Sequence, residues 1–174
     1  GIKGSSTCTV YFENCIVPKE NVLGDIGEGA AIAFNCLYTG RYKLGVSAVS
    51  GAKNALNNSL EWAFEREQFD HSISDFGMIQ EKFANMIVSL WESDNLIYMT
   101  TGSIDSSLEK LDKSSNDYFL HVQKSIEDHA IEASICKVIG SESLALIIDE
   151  SVQIYGGAGF IEEYPMASAY RDER

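Results

Sequence analysis

Residues 131–160 read IEASICKVIGSESLALIIDESVQIYGGAGF, an apolar run at helical spacing that ends in three glycines within four positions. Ile131, Ile135, Val138, Ile139, Leu144, Leu146, Ile147 and Val152 recur at the period of a helix face, which predicts a helix from Asp117 to Ile154. The cluster Gln153-Ile154-Tyr155-Gly156-Gly157-Ala158-Gly159-Phe160 then removes side chains where the backbone turns sharply or admits something close. Two readings of it stay open. One is a helix C-cap followed by a tight turn; the other is a turn that touches a cofactor.

The same spacing recurs upstream. From about Gly29 to Gln68 it runs through Ile32, Leu37, Leu44, Val49, Ala52, Leu60 and Trp62, and at 1.5 Å per residue this helix spans about 60 Å. Gly40, Gly45 and Gly51 are its points of bending or close packing. A second helix fits Phe76 to about Thr101, through Met78, Ile79, Phe83, Met86, Leu90 and Leu96. The polar stretch 102–116 reads as an exposed connection, and a short segment after Pro165 begins a fourth helix. Long helices with short connections predict a mainly α fold, an up-and-down four-helix bundle. Ahead of it, the β-branched and aromatic residues of 5–17 predict one strand, bent near Glu13-Asn14 and closed by Pro18. A lone strand needs a partner for its backbone groups. Together with a start at Gly1 and an end at Arg174 in mid-pattern, this leads us to expect a fragment of a longer protein.

Composition narrows the function classes. Thirteen Lys and Arg against 26 Asp and Glu give a net charge of -13 with no basic block, which argues against a nucleic-acid partner. Cys8, Cys15, Cys36 and Cys136 are scattered without metal-ligand spacing and read as reduced thiols of an intracellular protein. No apolar run approaches the roughly 20 residues of a membrane helix. A di-iron bundle needs Glu three residues before His; His71, His121 and His129 lack it, so no metal site is expected. The G-x-S-x-G, Walker A and G-x-G-x-x-G motifs are absent. Arg41 and Arg66 stand 25 residues apart on the first helix, about 37 Å if it is straight. They are either ordinary surface cations or groups serving two ends of an extended ligand or two sites in an oligomer.

Gly1-Ile2-Lys3-Gly4-Ser5-Ser6, Val17-Pro18-Lys19-Glu20-Asn21-Val22-Leu23-Gly24, Arg66-Glu67-Gln68-Phe69, Gln153 to Phe160 and Tyr170-Arg171-Asp172 occur in the order found in the acyl-CoA dehydrogenase flavoproteins, and the chain resembles that family over nearly its whole length. Gly40-Arg41 and Phe76-Gly77-Met78-Ile79-Gln80-Glu81-Lys82 resemble the very-long-chain branch. The resemblance implies an enzyme with an N-terminal helical domain, a middle β-domain and a C-terminal four-helix bundle. Residues 1–27 would be the end of the β-domain, and residues 28–174 the bundle, cut before its last helix. It further implies FAD-dependent oxidation of acyl-CoA to trans-2-enoyl-CoA in fatty acid β-oxidation, with electrons leaving through electron-transfer flavoprotein. The compartment would be a bacterial cytoplasm or a mitochondrial matrix.

Carried over by position, Arg66 and Phe69 resemble residues that reach the FAD of a neighbouring subunit, the arginine pairing with its pyrophosphate. Gln153, Gly156 and Gly157 resemble the turn along the adenosine end of that FAD, and Tyr38 and Arg41 the lining of the acyl-CoA site. The usual catalytic glutamate stands in an E-G-T motif after Tyr170-Arg171-Asp172, beyond Arg174. A few branches place the base just before the arginine of the first helix, where this chain has Gly40. No catalytic residue is therefore expected within it, and the fragment alone is expected to be inactive. Gly77 stands where a Gln is common, and Asp70 where a Gly is frequent. A homodimer or homotetramer is implied. The alternatives are a non-catalytic helical oligomerisation module and an acyl-CoA oxidase-like relative.

Overall fold

The computed structural model describes residues 4–173. Gly1, Ile2 and Lys3 of the first motif, and Arg174, lie outside the described residues. In chain order the α-helices and strands are α1 (Gly29–Glu65), β1 (Glu67–Gln68), β2 (His71–Ser72), α2 (Gly77–Glu109), α3 (Tyr118–Asp128), α4 (Ala130–Tyr155) and α5 (Pro165–Asp172), with short 3-10 turns at Lys19–Asn21, Ile73–Asp75 and Gly156–Phe160. The expected mainly helical architecture is what forms.

Contacts between the long helices fix their directions. Arg41 meets Ser134, and further along Trp62 meets Tyr155, so α1 and α4 run parallel. α2 runs opposite to both: Tyr42 bonds Thr101 and Lys53 bonds Asp94 across α1, while Lys82 bonds Glu150 and Ser89 bonds Ser143 across α4. The core lies between them, with Ala52, Ala55, Leu56 and Ala63 from α1, Phe83 and Met86 from α2, and Ile147, Ile148 and Ile154 from α4. Small residues on α1 let α4 come close. At Gly45 an added Cβ would lie 2.6 Å from the carbonyl oxygen of Cys136, and one at Gly140 would lie 2.9 Å from the carbonyl oxygen of Gly45. The two backbones therefore touch, which explains Gly45 as a packing residue rather than a bend.

Buried hydroxyls on these faces are satisfied locally, as burial requires. Ser59 Oγ donates to the Ala55 carbonyl at 2.8 Å and Ser151 Oγ to that of Ile147 at 2.6 Å, each one turn back along its own helix.

The strand predicted over residues 5–17 does not form. No strand among the described residues pairs with it, and Tyr11, Phe12 and Ile16 are exposed along an irregular segment. The bend at Glu13-Asn14 is present, with Asn14 at φ 46°. α1 ends at Glu65 rather than Gln68, because the next residues turn into a hairpin. The expected connection 102–116 is mostly helix: α2 continues to Glu109, since Ile104 and Leu108 keep an apolar face and Ser107 Oγ donates to the Ser103 carbonyl at 3.0 Å. The helix predicted from Asp117 to Ile154 is broken at His129, whose φ of -103° and ψ of 18° separate α3 from α4. That ring is held at the joint, Nδ1 donating to the Ser125 carbonyl at 2.7 Å and Nε2 accepting from Ser103 Oγ at 3.0 Å. α5 begins at Pro165, a residue suited to the first helical position because its missing N–H would have no partner there.

Candidate functional site

Arg66 is the residue at which α1 stops. Its N–H still donates to the Trp62 carbonyl at 2.9 Å, and its own carbonyl accepts from Ile73 N–H at 2.8 Å, closing the hairpin that follows. The guanidinium is exposed and makes no hydrogen bond or ion pair among the described residues. β1 and β2 pair with Gln68 opposite His71, which leaves a two-residue loop. Both loop residues are left-handed, Phe69 at φ 56° and Asp70 at φ 63°, the geometry of a type I′ turn, normally the place of Asn-Gly. The turn holds because Ser72 Oγ donates to the Ala63 carbonyl at 2.7 Å, satisfying one of the last carbonyls of α1. Phe69 is presented outward, 84% exposed, with one edge against Phe76. Asp70→Gly is expected to raise stability by about 0.5 kcal/mol, by relieving a left-handed Asp at some cost in unfolded-chain entropy. A urea-unfolding midpoint checks it.

The glycine cluster separates into three roles. Gly156 caps α4 with φ 60° and ψ -133°, a conformation that needs glycine, and its N–H donates to the Gln153 and Val152 carbonyls. Gly159 is required by packing, for a Cβ there would lie 2.5 Å from the Val152 carbonyl oxygen. Gly157 is required by neither, since it has an ordinary φ and a Cβ would meet nothing within 4 Å. Gln153 and Gly157 are both exposed.

Aromatic rings bring this turn to the same end of the molecule as Arg66. Trp62, one turn before Arg66, stacks on Tyr155, the last residue of α4, with centroids 4.6 Å apart and planes 10° from parallel. Tyr164 stands edge-on to both, at 5.2 Å and 6.0 Å. Tyr155 Oη donates to the Asn58 carbonyl at 3.2 Å. Burial chiefly, then the charges of the Glu61 carboxylate, the Tyr164 phenolate and the Glu65 carboxylate, raise the Tyr155 phenol above its ordinary value of 10.0. A phenol kept neutral by the fold contributes fully below its unfolded value, and the contribution is lost as pH rises through the raised folded value. Unfolding stability is therefore expected to fall above about pH 10, and in Y155F that part of the fall should vanish. These three aromatics were not identified as site residues from sequence; Trp62 was visible only as one apolar position of a helix.

Tyr38 and Arg41 lie elsewhere, toward the start of α1. Arg41 stacks its guanidinium over Tyr38, 5.7 Å from the ring centroid, and Nη1 donates to Ser134 Oγ at 3.2 Å. Tyr38 also faces Ile131, Ile135, Val138 and Ile139 across an almost wholly apolar groove of about 560 Å³. On another side of α1, Cys36, Gly40, Phe119 and Ile126 line a second cavity of about 470 Å³. The two arginines thus belong to separate places, about 37 Å apart along α1. No helix among the described residues is long and apolar enough to cross a membrane.

Residues 27–174 match the family acyl-CoA dehydrogenase, C-terminal domain. Across all 174 residues the chain is 43% identical to a probable acyl-CoA dehydrogenase of Bacillus subtilis and 34% identical to the mitochondrial very long-chain specific acyl-CoA dehydrogenase of Rattus norvegicus. It spans 29% of the first and 24% of the second. A crystal structure of an acyl-CoA dehydrogenase from Bacillus anthracis complexed with FAD superposes on 93% of this chain, with 46% identity and a TM-score of 0.89, this chain covering 28% of that one.

Proposed function

The chain belongs to the acyl-CoA dehydrogenase family, and on that premise we propose that it is the C-terminal helical part of an FAD-dependent enzyme that oxidises acyl-CoA to trans-2-enoyl-CoA in fatty acid β-oxidation. The observation that carries this reading is the pairing, at one end of the bundle, of an exposed Arg66 guanidinium that has no partner among the described residues with a bare backbone at Gly157. The first suits a pyrophosphate, because a planar cation with several donors grips phosphate oxygens in pairs. The second suits close approach of an adenosine to the main chain, with Gln153 as a side-chain donor beside it. These residues fit FAD, and Phe69 adds an exposed ring beside Arg66. When bound, FAD supplies the acceptor for the hydrogen that leaves the substrate's β-carbon as hydride.

The resemblance assigns the cofactor to a neighbouring subunit. An assembly of two or four copies follows from that assignment, and exposed apolar residues such as Val88, Trp91 and Met99 on α2 favour further protein covering the helices. Acyl-CoA would lie along α1 near Tyr38 and Arg41, where the apolar groove suits an alkyl chain and the cation a polar group of the thioester portion. Within this chain Gly40 stands where some branches hold the base, so these residues bind and orient rather than take the α-proton. Residues 1–27 would belong to a β-domain and 28–174 to the bundle. Electron-transfer flavoprotein would be the electron acceptor, and the compartment a bacterial cytoplasm or a mitochondrial matrix.

The test is anaerobic. The full-length protein should be yellow as purified, should bleach when palmitoyl-CoA is added, and should be reoxidised by electron-transfer flavoprotein. A flavin that stays oxidised with acyl-CoAs of every chain length would sink the proposal. Residues 1–174 alone should give no dye reduction with palmitoyl-CoA and FAD, and turnover by that chain would overturn its assignment as a binding part.

A further inference from the structure

Arg66 and the turn at Gly157 follow the ends of two helices that lie far apart in the sequence. Arg66 closes α1, and Gly157 follows α4. Beyond the shared core of Ala63 and Ile154, what joins them at the very end is an aromatic stack. Trp62 is hydrogen-bonded through its carbonyl to Arg66 N–H, and Tyr155 is bonded by the peptide to Gly156, so each ring sits on the last turn that aims a proposed cofactor contact. The rings lie 4.6 Å apart and nearly parallel. Tyr164, which caps α5 after the glycine turn, closes the cluster edge-on from the far side of that turn. Tyr155 is also tied back to α1 through the Asn58 carbonyl. Trp62 Nε1, by contrast, is buried without a hydrogen-bond partner among the described residues. The indole is therefore held by its faces, and its ring shape, rather than a polar contact, sets where it sits.

We propose that Trp62 and Tyr155 form an aromatic clamp that fixes the spacing between the Arg66 guanidinium and the Gly157 backbone, so that the pyrophosphate and adenosine portions of one FAD are engaged together. This rests on the cofactor reading above. Two contacts on one ligand reinforce each other only while their separation matches the ligand; a pair free to drift behaves as two weak contacts. Trp62 and Tyr155 are thus positioning residues. They touch the elements that bind and not the cofactor itself.

The test is made in the full-length protein with FAD as the titrant. W62L keeps an apolar side chain but removes the ring, and W62F keeps a ring that can stack. W62L should weaken FAD binding about tenfold, the scale of one lost aromatic pair with its packing, and W62F should stay within about threefold of wild type. The decisive reading is a double-mutant cycle between R66A and G157A, measured in the wild-type and W62L backgrounds. Their effects on FAD affinity should be coupled in the first and additive in the second. If W62L does not fold, W62M takes its place in the same cycle. Equal losses in W62L and W62F, or coupling that survives in W62L, would make the stack ordinary packing and overturn the clamp while leaving Arg66 as a cofactor residue. R66A and G157A that each bind FAD as well as wild type would overturn the cofactor reading and the clamp with it.

Discussion

Gly45→Ala is expected to destabilise the protein by about 3 kcal/mol, the upper end of what overpacking a tight interior costs. The new methyl would sit 2.6 Å from the carbonyl oxygen and 2.9 Å from the carbonyl carbon of Cys136, both main-chain atoms of α4. No rotamer change relieves such a contact, so the helices must separate. Separation would loosen the seam that follows, where Ala48, Ala52 and Ala55 of α1 lie buried. The direction is diagnostic. Alanine is favoured over glycine within a helix by about 0.8–1.0 kcal/mol, so a Gly→Ala change that destabilises reports a steric cost larger than that gain. Gly40→Ala provides the contrast: it lies on the same helix with nothing within 4 Å of its Cβ position, and it should stabilise by about 0.5–1 kcal/mol. Urea unfolding of both variants at one pH reads the difference. A Gly45→Ala protein as stable as wild type would mean that the close crossing of α1 and α4 is wrong.

Why the long helices were legible in the sequence, and their joints were not, follows from what each rests on. A face that repeats every three or four residues over some thirty positions survives any local irregularity, so α1, α2 and α4 could be read from Val49, Phe83 or Ile147 and their neighbours. Ends depend on single hydrogen bonds. Ser107 looks like a loop residue until its hydroxyl is seen on the Ser103 carbonyl, and His129 looks like a surface residue until both ring nitrogens are engaged at a break. The hairpin was invisible, because two-residue strands carry no period and Phe69-Asp70 is not a usual turn pair. Residues 5–17 show the opposite failure: their alternation is real, yet a strand requires a neighbour to bond, and none stands among the described residues. Arg66 and the glycine cluster stood out in the sequence itself with their roles left open, and the FAD roles of Arg66, Gly156 and Gly157 came from the family resemblance. Which glycine serves the fold and which is left bare became clear only from the atoms around each Cβ position. The stack of Trp62 on Tyr155 depends on two distant helices running parallel, and no local pattern encodes that.

Arg66→Ala is expected to weaken FAD binding by about 2–4 kcal/mol in the full-length protein, because each charge-assisted hydrogen bond is worth about 1.5–3 kcal/mol and a phosphate group left without its cation loses more than one. At about 1.4 kcal/mol per tenfold, that turns a tightly held flavin into one lost during purification. Stability of the flavin-free protein should change by no more than about 0.5 kcal/mol, since the guanidinium has no partner among the described residues to lose. This separation of effects distinguishes a binding residue from a structural one. Arg66→Lys should fall between: it keeps the charge but not the planar pair of donors, so roughly a tenfold loss is expected. High salt should weaken wild type and R66K toward R66A, as screening of an exposed ion pair requires. Equilibrium dialysis of FAD against the three proteins at two ionic strengths measures all of this. Should R66A retain flavin as wild type does, Arg66 is an ordinary surface cation, and the recognition of FAD by this end of the bundle would have to rest on Phe69, Gln153 and the glycine turn.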